Sequence, residues 1–513
     1  MTEPLEPRLA AEDATSGPAA DDEELQEQQR VRRAKRQRIL DDGREPYPPG
    51  YPRTASYAEV RAEAGDLPPD TMTGRVVGVT GRVLLNRPGG KITFATLQEE
   101  GSRLQVVLKL DVTGADALTR WAAEVDLGDH VGVTGEVGTT RRGELSVFAT
   151  GWMLTSKSLR PLPDKHKGLA DLETRARQRY VDLVVRPEAR AALEARAAVV
   201  WSLRTSLRRR GYVEVETPVL QPLHGGAAAR PFVTHMNALD TSLYLRIATE
   251  LYLKRLVVGG VDRVFEIGKT FRNEGVDSSH NPEFTMLEAY EAYGDYDSMA
   301  TQTREWVLEA AEALGSTVVP DGAGGQIDLA EPWRAATVHA LVSGALGEEV
   351  TPDTDAQALR RHATRRGVAL QPAWGEGEIL LELYEHLVEP TLLAPTFVRD
   401  YPASVRPLAR PHRADPRLAE AWDLVVAGRE LAPAYSELVD PVEQRRRLTH
   451  QSLRAAGGDV EAMQLDEDFL RALETGAPPM GGMGLGVDRL VMLLTGLRSI
   501  REVVLFPLVR TES

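Results

Sequence analysis

The sequence predicts an α+β protein in which a small β-barrel is followed by a larger antiparallel sheet with helices around it. Three observations carry that prediction. Between about Thr73 and Thr155 the chain is a series of short strand-like runs broken by glycine. Residues 263–290 form two limbs of alternating apolar and polar side chains joined by a polar loop, the pattern of half-buried strands in a hairpin. After Pro187, Leu193, Ala197, Val200, Leu203 and Leu207 recur at three- and four-residue spacing until Gly211, which marks an amphipathic helix.

At 513 residues the chain is too long for one ordinary core, so several domains are expected. With 42% hydrophobic and 27% charged residues it has a globular composition. No apolar run reaches spanning length and the amino terminus lacks the basic-then-apolar order of a signal peptide, so a cytoplasmic protein with no membrane partner is expected. The absence of cysteine excludes disulfides, thiolate zinc sites and thiol catalysis.

In chain order, residues 1–24 carry eight acids and one base, and read as a disordered acidic tail. Residues 25–72 hold a basic helical segment with six bases in the nine positions Arg30 to Arg38. That run is either a solvated helix face or an electrostatic handle for nucleic-acid phosphates, which matters because the net charge of −15 by itself argues against such a partner. Residues 73–155 contain five strands, among them 91–97 and 103–108, and point to an OB-type barrel, a fold that commonly binds single-stranded nucleic acid. Residues 156–186 read as a linker. Residues 187–513 form the larger domain, with a mostly helical insertion at about 300–400 that includes a glycine-rich stretch at 321–326.

The hairpin is the most informative segment. Its first limb ends at Arg272, its loop holds Glu274 and His280, and period two places Phe284, Met286, Glu288 and Tyr290 on one face of the second limb. An all-apolar face would read as core, whereas an arginine, a histidine and carboxylates around a hairpin suit activation of a carboxylate by ATP. The segment resembles motif 2 of the class II aminoacyl-tRNA synthetases. Gly211-Tyr-Val-Glu-Val-Glu-Thr-Pro218 is similar to motif 1, and Gly482-Met-Gly-Leu-Gly-Val-Asp-Arg489 to motif 3. Three motifs in the right order make a specific signal, and from about residue 25 onward the chain resembles the bacterial lysyl-tRNA synthetases.

The resemblance implies ATP-dependent activation of L-lysine, transfer to tRNA(Lys), and a homodimer formed through motif 1. It assigns catalysis to Arg272 and Arg489, and ATP binding to these with Glu274, His280 and Phe284. Lysine falls to Gly226, Glu250, Glu288, Tyr290, Tyr435 and Glu437, Mg2+ to Asp423 and Glu430, and the anticodon to Arg87, Phe94, Gln105 and Glu144. The family more often has glutamate at position 423, so aspartate there shortens the reach to a metal. A second departure is Ala432-Pro433-Ala434, where the family usually has a glycine-flanked polar residue. Period two places position 433 on the face of Tyr435 and Glu437, where proline removes a polar side chain and a backbone donor, while the alanines add methyl groups where glycine allows close backbone approach. Alternatives are a diverged paralogue with altered amino-acid affinity, a relative that lysylates a protein, and a non-catalytic tRNA-binding or regulatory protein; a barrel argues against the second and intact arginines and carboxylates against the third.

Overall fold

The computed structural model describes residues 20–163, 169, 171–459 and 461–510. The expected acidic tail lies outside the described residues as far as position 19. From residue 20 the chain is helical, and the helix Ala20–Asp41 takes in both the end of that segment and the whole basic run. Two bases of the run are used within their own unit. Arg32 is buried and donates to the Ser158 carbonyl at 3.2 Å, and Lys35 pairs with Asp126 at 2.6 Å.

Contacts divide the chain into two compact units, one ending at residue 170 and taking in 183–187, the other formed by 171–182 and 188 onward. In the first, β1 (Met72–Pro88), β2 (Ile92–Glu99), β3 (Ser102–Lys109), β4 (His130–Thr139) and β5 (Leu145–Ser156) close into a barrel in the order β1-β2-β3-β5-β4. Alternation explains closure: Val79, Leu97, Val106 and Val133 point inward and are fully buried, while their neighbours face out. The helix Ala115–Glu124 lies between β3 and β4 in the chain and buries Trp121, whose indole donates to Asn86 at 3.0 Å. The segment expected as a linker carries two short helices, Leu172–Arg177 and Arg179–Val185.

The second unit opens on the helix Pro187–Arg209, whose Val199, Leu203 and Leu207 are buried in one core cluster with Phe265, Trp306 and Trp422. After it come β6 (Val213–Glu214), a three-stranded sheet of β7 (Leu220–Gln221), β8 (Val233–Met236) and β9 (Thr241–Leu245), then β10 (Arg263–Phe271) and β11 (Glu283–Ala292). A two-stranded ribbon of β12 (Val318–Pro320) and β13 (Gln326–Asp328) precedes β14 (Arg334–Thr337), β15 (Thr396–Arg399), β16 (Ala421–Val426), β17 (Arg429–Ser436) and β18 (Met480–Gly486). The main sheet has eight strands in the order β14-β15-β16-β17-β18-β11-β10-β6. It is antiparallel except at its edges, where β14–β15 and β10–β6 pair in parallel. The segment expected as a helical insertion therefore does more than pack beside the sheet, since it contributes β14 and β15 to it.

Candidate active site

The segments similar to motifs 2 and 3 meet within the main sheet because β18 pairs with β11 on one side and β17 on the other, while the segment similar to motif 1 supplies the edge strand β6 beside β10. One cross-strand row runs Tyr290, Gly482, Tyr435. A side chain at Gly482 would overlap both the Glu437 carboxylate and the Tyr290 ring, so glycine there is a spatial requirement.

At one end of this face is a cavity of about 190 Å³ lined by Arg272, Glu274, His280, Phe284, Glu430 and Arg489 among others. Arg272 follows β10, with its guanidinium 5.2 Å from the centre of the Phe284 ring and its Nε buried without a hydrogen-bond partner. Burial lowers its pKa despite the nearby Glu274, Glu430 and Glu288, so the site holds a desolvated cation in want of an anion. Arg489 donates to the Glu430 carbonyl at 2.8 Å and to His280 Nε2 at 3.2 Å. His280 Nδ1 lies 2.8 Å from Asp277, an arrangement that puts the imidazole proton on Nδ1 and leaves Nε2 to accept from Arg489. Both nitrogens of His280 are thus engaged, and the residue orients an arginine. Burial raises the Asp277 carboxyl, but hydrogen bonds from His280 and Ser279 outweigh it and hold that carboxyl well below its usual range. The loop is further tied by Ser278, whose carbonyl accepts from the Ile500 N–H at 2.8 Å. Glu274 sits exposed at the rim. Gly322 and Gly324, for which the sequence offers no chemistry, border a second recess shared with Glu430 and Arg489.

A further cavity of about 270 Å³ is lined by Gly226, Glu250, Arg406 and Tyr435. Gly226 has φ +84° and lies against Ala248 and Glu250. Behind these stand Glu288, Tyr290 and Glu437, all buried. Glu288 accepts from the Thr249 N–H at 3.0 Å and from the Tyr290 hydroxyl at 3.2 Å. Burial, and then the charge of Glu250, push its carboxyl up to about 7. Sequence reasoning missed Lys254, which is fully buried, bonded to Glu250 at 2.5 Å, ion-paired with Glu437, and 5.9 Å from the centre of the Tyr290 ring. Burial lowers the Lys254 pKa, yet Glu250 and Glu437 more than reverse this and keep the ammonium charged. Its place on a helix of mixed pattern, Glu250–Val258, left no periodic signal to single it out; the i, i+4 spacing from Glu250 was the one available clue.

Of the two carboxylates assigned to a metal, Glu430 borders the first cavity. Asp423 is buried, and its Oδ2 accepts from Arg406 at 2.5 Å. Burial, the largest influence, leaves the Asp423 carboxyl raised even though Arg406 pulls it back toward the ionised form. Its partner across the strands is Pro433, which lines the nucleotide-side cavity. Ala432 and Ala434 point the opposite way into the core. Alternation along β17 separates their methyls from Pro433 and Tyr435, as period two predicts.

In the barrel, Arg87 and Phe94 are direct cross-strand partners on β1 and β2. Phe94 is half-buried on the outward-facing set of β2, and Glu144 is exposed just before β5. Ser146 hydrogen-bonds both the Gln105 side chain and the Glu144 carbonyl at 3.0 Å, so the four expected residues occupy adjoining strands.

Residues 171–510 match the family of class II tRNA synthetases for D, K and N, and residues 71–155 match the OB-fold nucleic acid binding domain. The chain is 56% identical to a lysine–tRNA ligase of Mycolicibacterium gilvum over 97% of its own length and 100% of that protein. It is 54% identical to a lysine–tRNA ligase of Kineococcus radiotolerans over 96% of its own length and 99% of the other. It also matches a lysylphosphatidylglycerol biosynthesis bifunctional protein of Nocardia farcinica at 53% identity, over 94% of its own length and 43% of that longer chain.

Proposed function

The chain belongs to the lysine–tRNA ligases of the class II tRNA synthetases, and from that premise we propose how its residues share the reaction. The α-carboxylate of L-lysine attacks the α-phosphorus of ATP, giving lysyl-adenylate and releasing pyrophosphate. The terminal ribose hydroxyl of tRNA(Lys) then attacks the adenylate carbonyl and displaces AMP. The observation that carries this reading is Arg272, a buried guanidinium without a protein partner at Nε in the same cavity as Arg489. A planar donor fork there bridges the amino-acid carboxylate and the α-phosphate, neutralising two anions that must approach. No general base is required, because the nucleophile is already ionised. Arg489, steadied by His280 and the Glu430 carbonyl, serves the phosphate end and the adenine face. Phe284, against which Arg272 lies, covers the other face, with Glu274 contributing from the rim.

Lysine is held with its α-amino end near Gly226, Glu250 and Glu288, its stem along Tyr435, and its far ammonium toward Glu437 and Tyr290. Among the charged groups named in this pocket, Glu250, Glu288 and Glu437 outnumber Lys254 and Arg406, and Arg406 is already paired with Asp423, so an amino acid bringing two ammonium groups fits better than one bringing a second carboxylate. Magnesium enters with ATP; Glu430 suits it as a hard oxygen donor beside the cavity, whereas Asp423 does not, being paired with Arg406. Bound with ATP, the ion draws charge from the phosphates. Arg87, Phe94, Gln105 and Glu144 read the anticodon by stacking and edge contacts.

We further propose a cytoplasmic homodimer. No helix among the described residues is long and apolar enough to cross a membrane. Dimerisation is supported by Trp201, which is 71% exposed on the helix leading into motif 1, and by the exposed apolar Val213 and Leu220 that follow it. Lysine-dependent ATP–pyrophosphate exchange, followed by charging of purified tRNA(Lys), tests the activity; exchange driven better by another amino acid would overturn the lysine assignment.

A further inference from the structure

This inference rests on the ATP-site reading just given. The family resemblance pairs Asp423 with Glu430 as metal ligands, yet the surroundings of the two carboxylates differ. Glu430 faces the cavity, while Asp423 is only 6% exposed and is bonded to Arg406 at 2.5 Å. Arg406 is fixed in place. Its guanidinium lies 4.2 Å from the centre of the buried Tyr401 ring, and its carbonyl accepts at 3.2 Å from Arg447, itself bonded to Glu443 at 2.7 Å. Asp423 Oδ1 and Arg406 Nε both lack hydrogen-bond partners. A slight rotation of the pair into the bidentate fork typical of arginine and carboxylate satisfies both, and the buried Tyr401 hydroxyl beside the same carboxylate supplies a further donor. The cross-strand neighbour Pro433 has no N–H to offer that carboxylate.

A guanidinium stays protonated at all working pH values, so whenever Asp423 is ionised a cation already lies against it. A divalent ion brought to the same oxygens would meet a fixed cation with little water to screen it. We propose that the Arg406 guanidinium occupies, at Asp423, the place of a metal ion. Asp423 is then no metal ligand in this chain, and Arg406 is a positioning residue that supplies a built-in positive charge behind the nucleotide cavity. Metal held by Glu430 and the ATP phosphates is unaffected.

The test counts Mn2+ bound per subunit by electron paramagnetic resonance, using the full chain with lysine and a non-hydrolysable ATP analogue. The native count is expected to be unchanged in Asp423→Asn. Arg406→Ser is expected to gain one ion, and the double variant Arg406→Ser/Asp423→Asn to lose it again. Loss of an ion in Asp423→Asn alone, or no gain in Arg406→Ser, overturns the proposal. Should the variants not fold, magnesium titration of the native chain decides: exchange that saturates at one magnesium per ATP supports it, and a further rise with free magnesium overturns it. Failure of lysine-dependent exchange would strike the ligase reading, whereas the Mn2+ count would still report on Asp423.

Discussion

Arg272 and Lys254 are two buried cations with opposite circumstances. Arg272 is half-buried overall, with a buried Nε that lacks a hydrogen-bond partner. Arg272→Ala should reduce pyrophosphate exchange by about 10² to 10³, the usual cost of losing one preorganised charge-stabilising donor. The melting temperature should hold or rise, because an uncompensated buried charge is removed; a parallel fall in both would mark the residue as structural. Lys254 is fully paired, so Lys254→Met should destabilise by roughly 3 to 5 kcal/mol, as breaking a buried ion pair does. Added lysine should then raise the melting temperature more in the variant than in the native chain, since the substrate would return an ammonium to Glu250 and Glu437. Equal lysine-induced shifts would show that Lys254 and substrate act on separate groups. Glu288 gives a pH dependence of definite sign. Its folded pKa of about 7 lies above the 4.5 of an unperturbed glutamate, so between these limits the folded state holds the extra proton. Its contribution to stability is present below the lower value and declines as pH rises through that window. Ionised Glu288 is the form that accepts an ammonium, so KM for lysine should fall as pH rises through about 7, and that slope should vanish in Glu288→Gln.

Among the elements, the barrel strands and the β10–β11 hairpin were legible because two-residue alternation survives wherever one face of a sheet is covered. The helix Ala115–Glu124 was not, although it buries Trp121 and Leu118; ten residues between two strands read as connection when the partner surface is unknown. The same limit applied to β14 and β15, four-residue strands inside a helical stretch, whose sheet membership depends on pairing between partners 62 positions apart, such as Arg334 and Thr396. Arg406 was equally silent, because nothing in Ser404 to Leu408 announces which carboxylate it meets. In the barrel, Phe94 shares its cross-strand register with Arg87, so stacking and charge act at one point. Phe94→Ala should weaken tRNA binding by about 1 to 3 kcal/mol, the worth of one base–aromatic stack, with lysine activation untouched. Unchanged charging at limiting tRNA would exclude the barrel face from anticodon reading.

For the whole molecule, the acidic net charge and the basic helix Ala20–Asp41 are reconciled by location, since charge averaged over 513 residues says little about one surface. The exposed apolar set around motif 1 is likewise a property of assembly. Trp201→Asp should shift the sedimentation profile toward monomer, with a loss of about 2 kcal/mol or more in association, as for an aromatic anchor at an interface. A profile unchanged from native would place the dimer contact elsewhere. Gly482 carries a consequence for inhibition. Its empty Cβ position is filled by Glu437 on one side and Tyr290 on the other, so any replacement would damage the pocket before it could exclude a drug. A compound that rests on the bare backbone at Gly482 would therefore press on a position with little freedom to mutate, and resistance would have to arise from more distant walls.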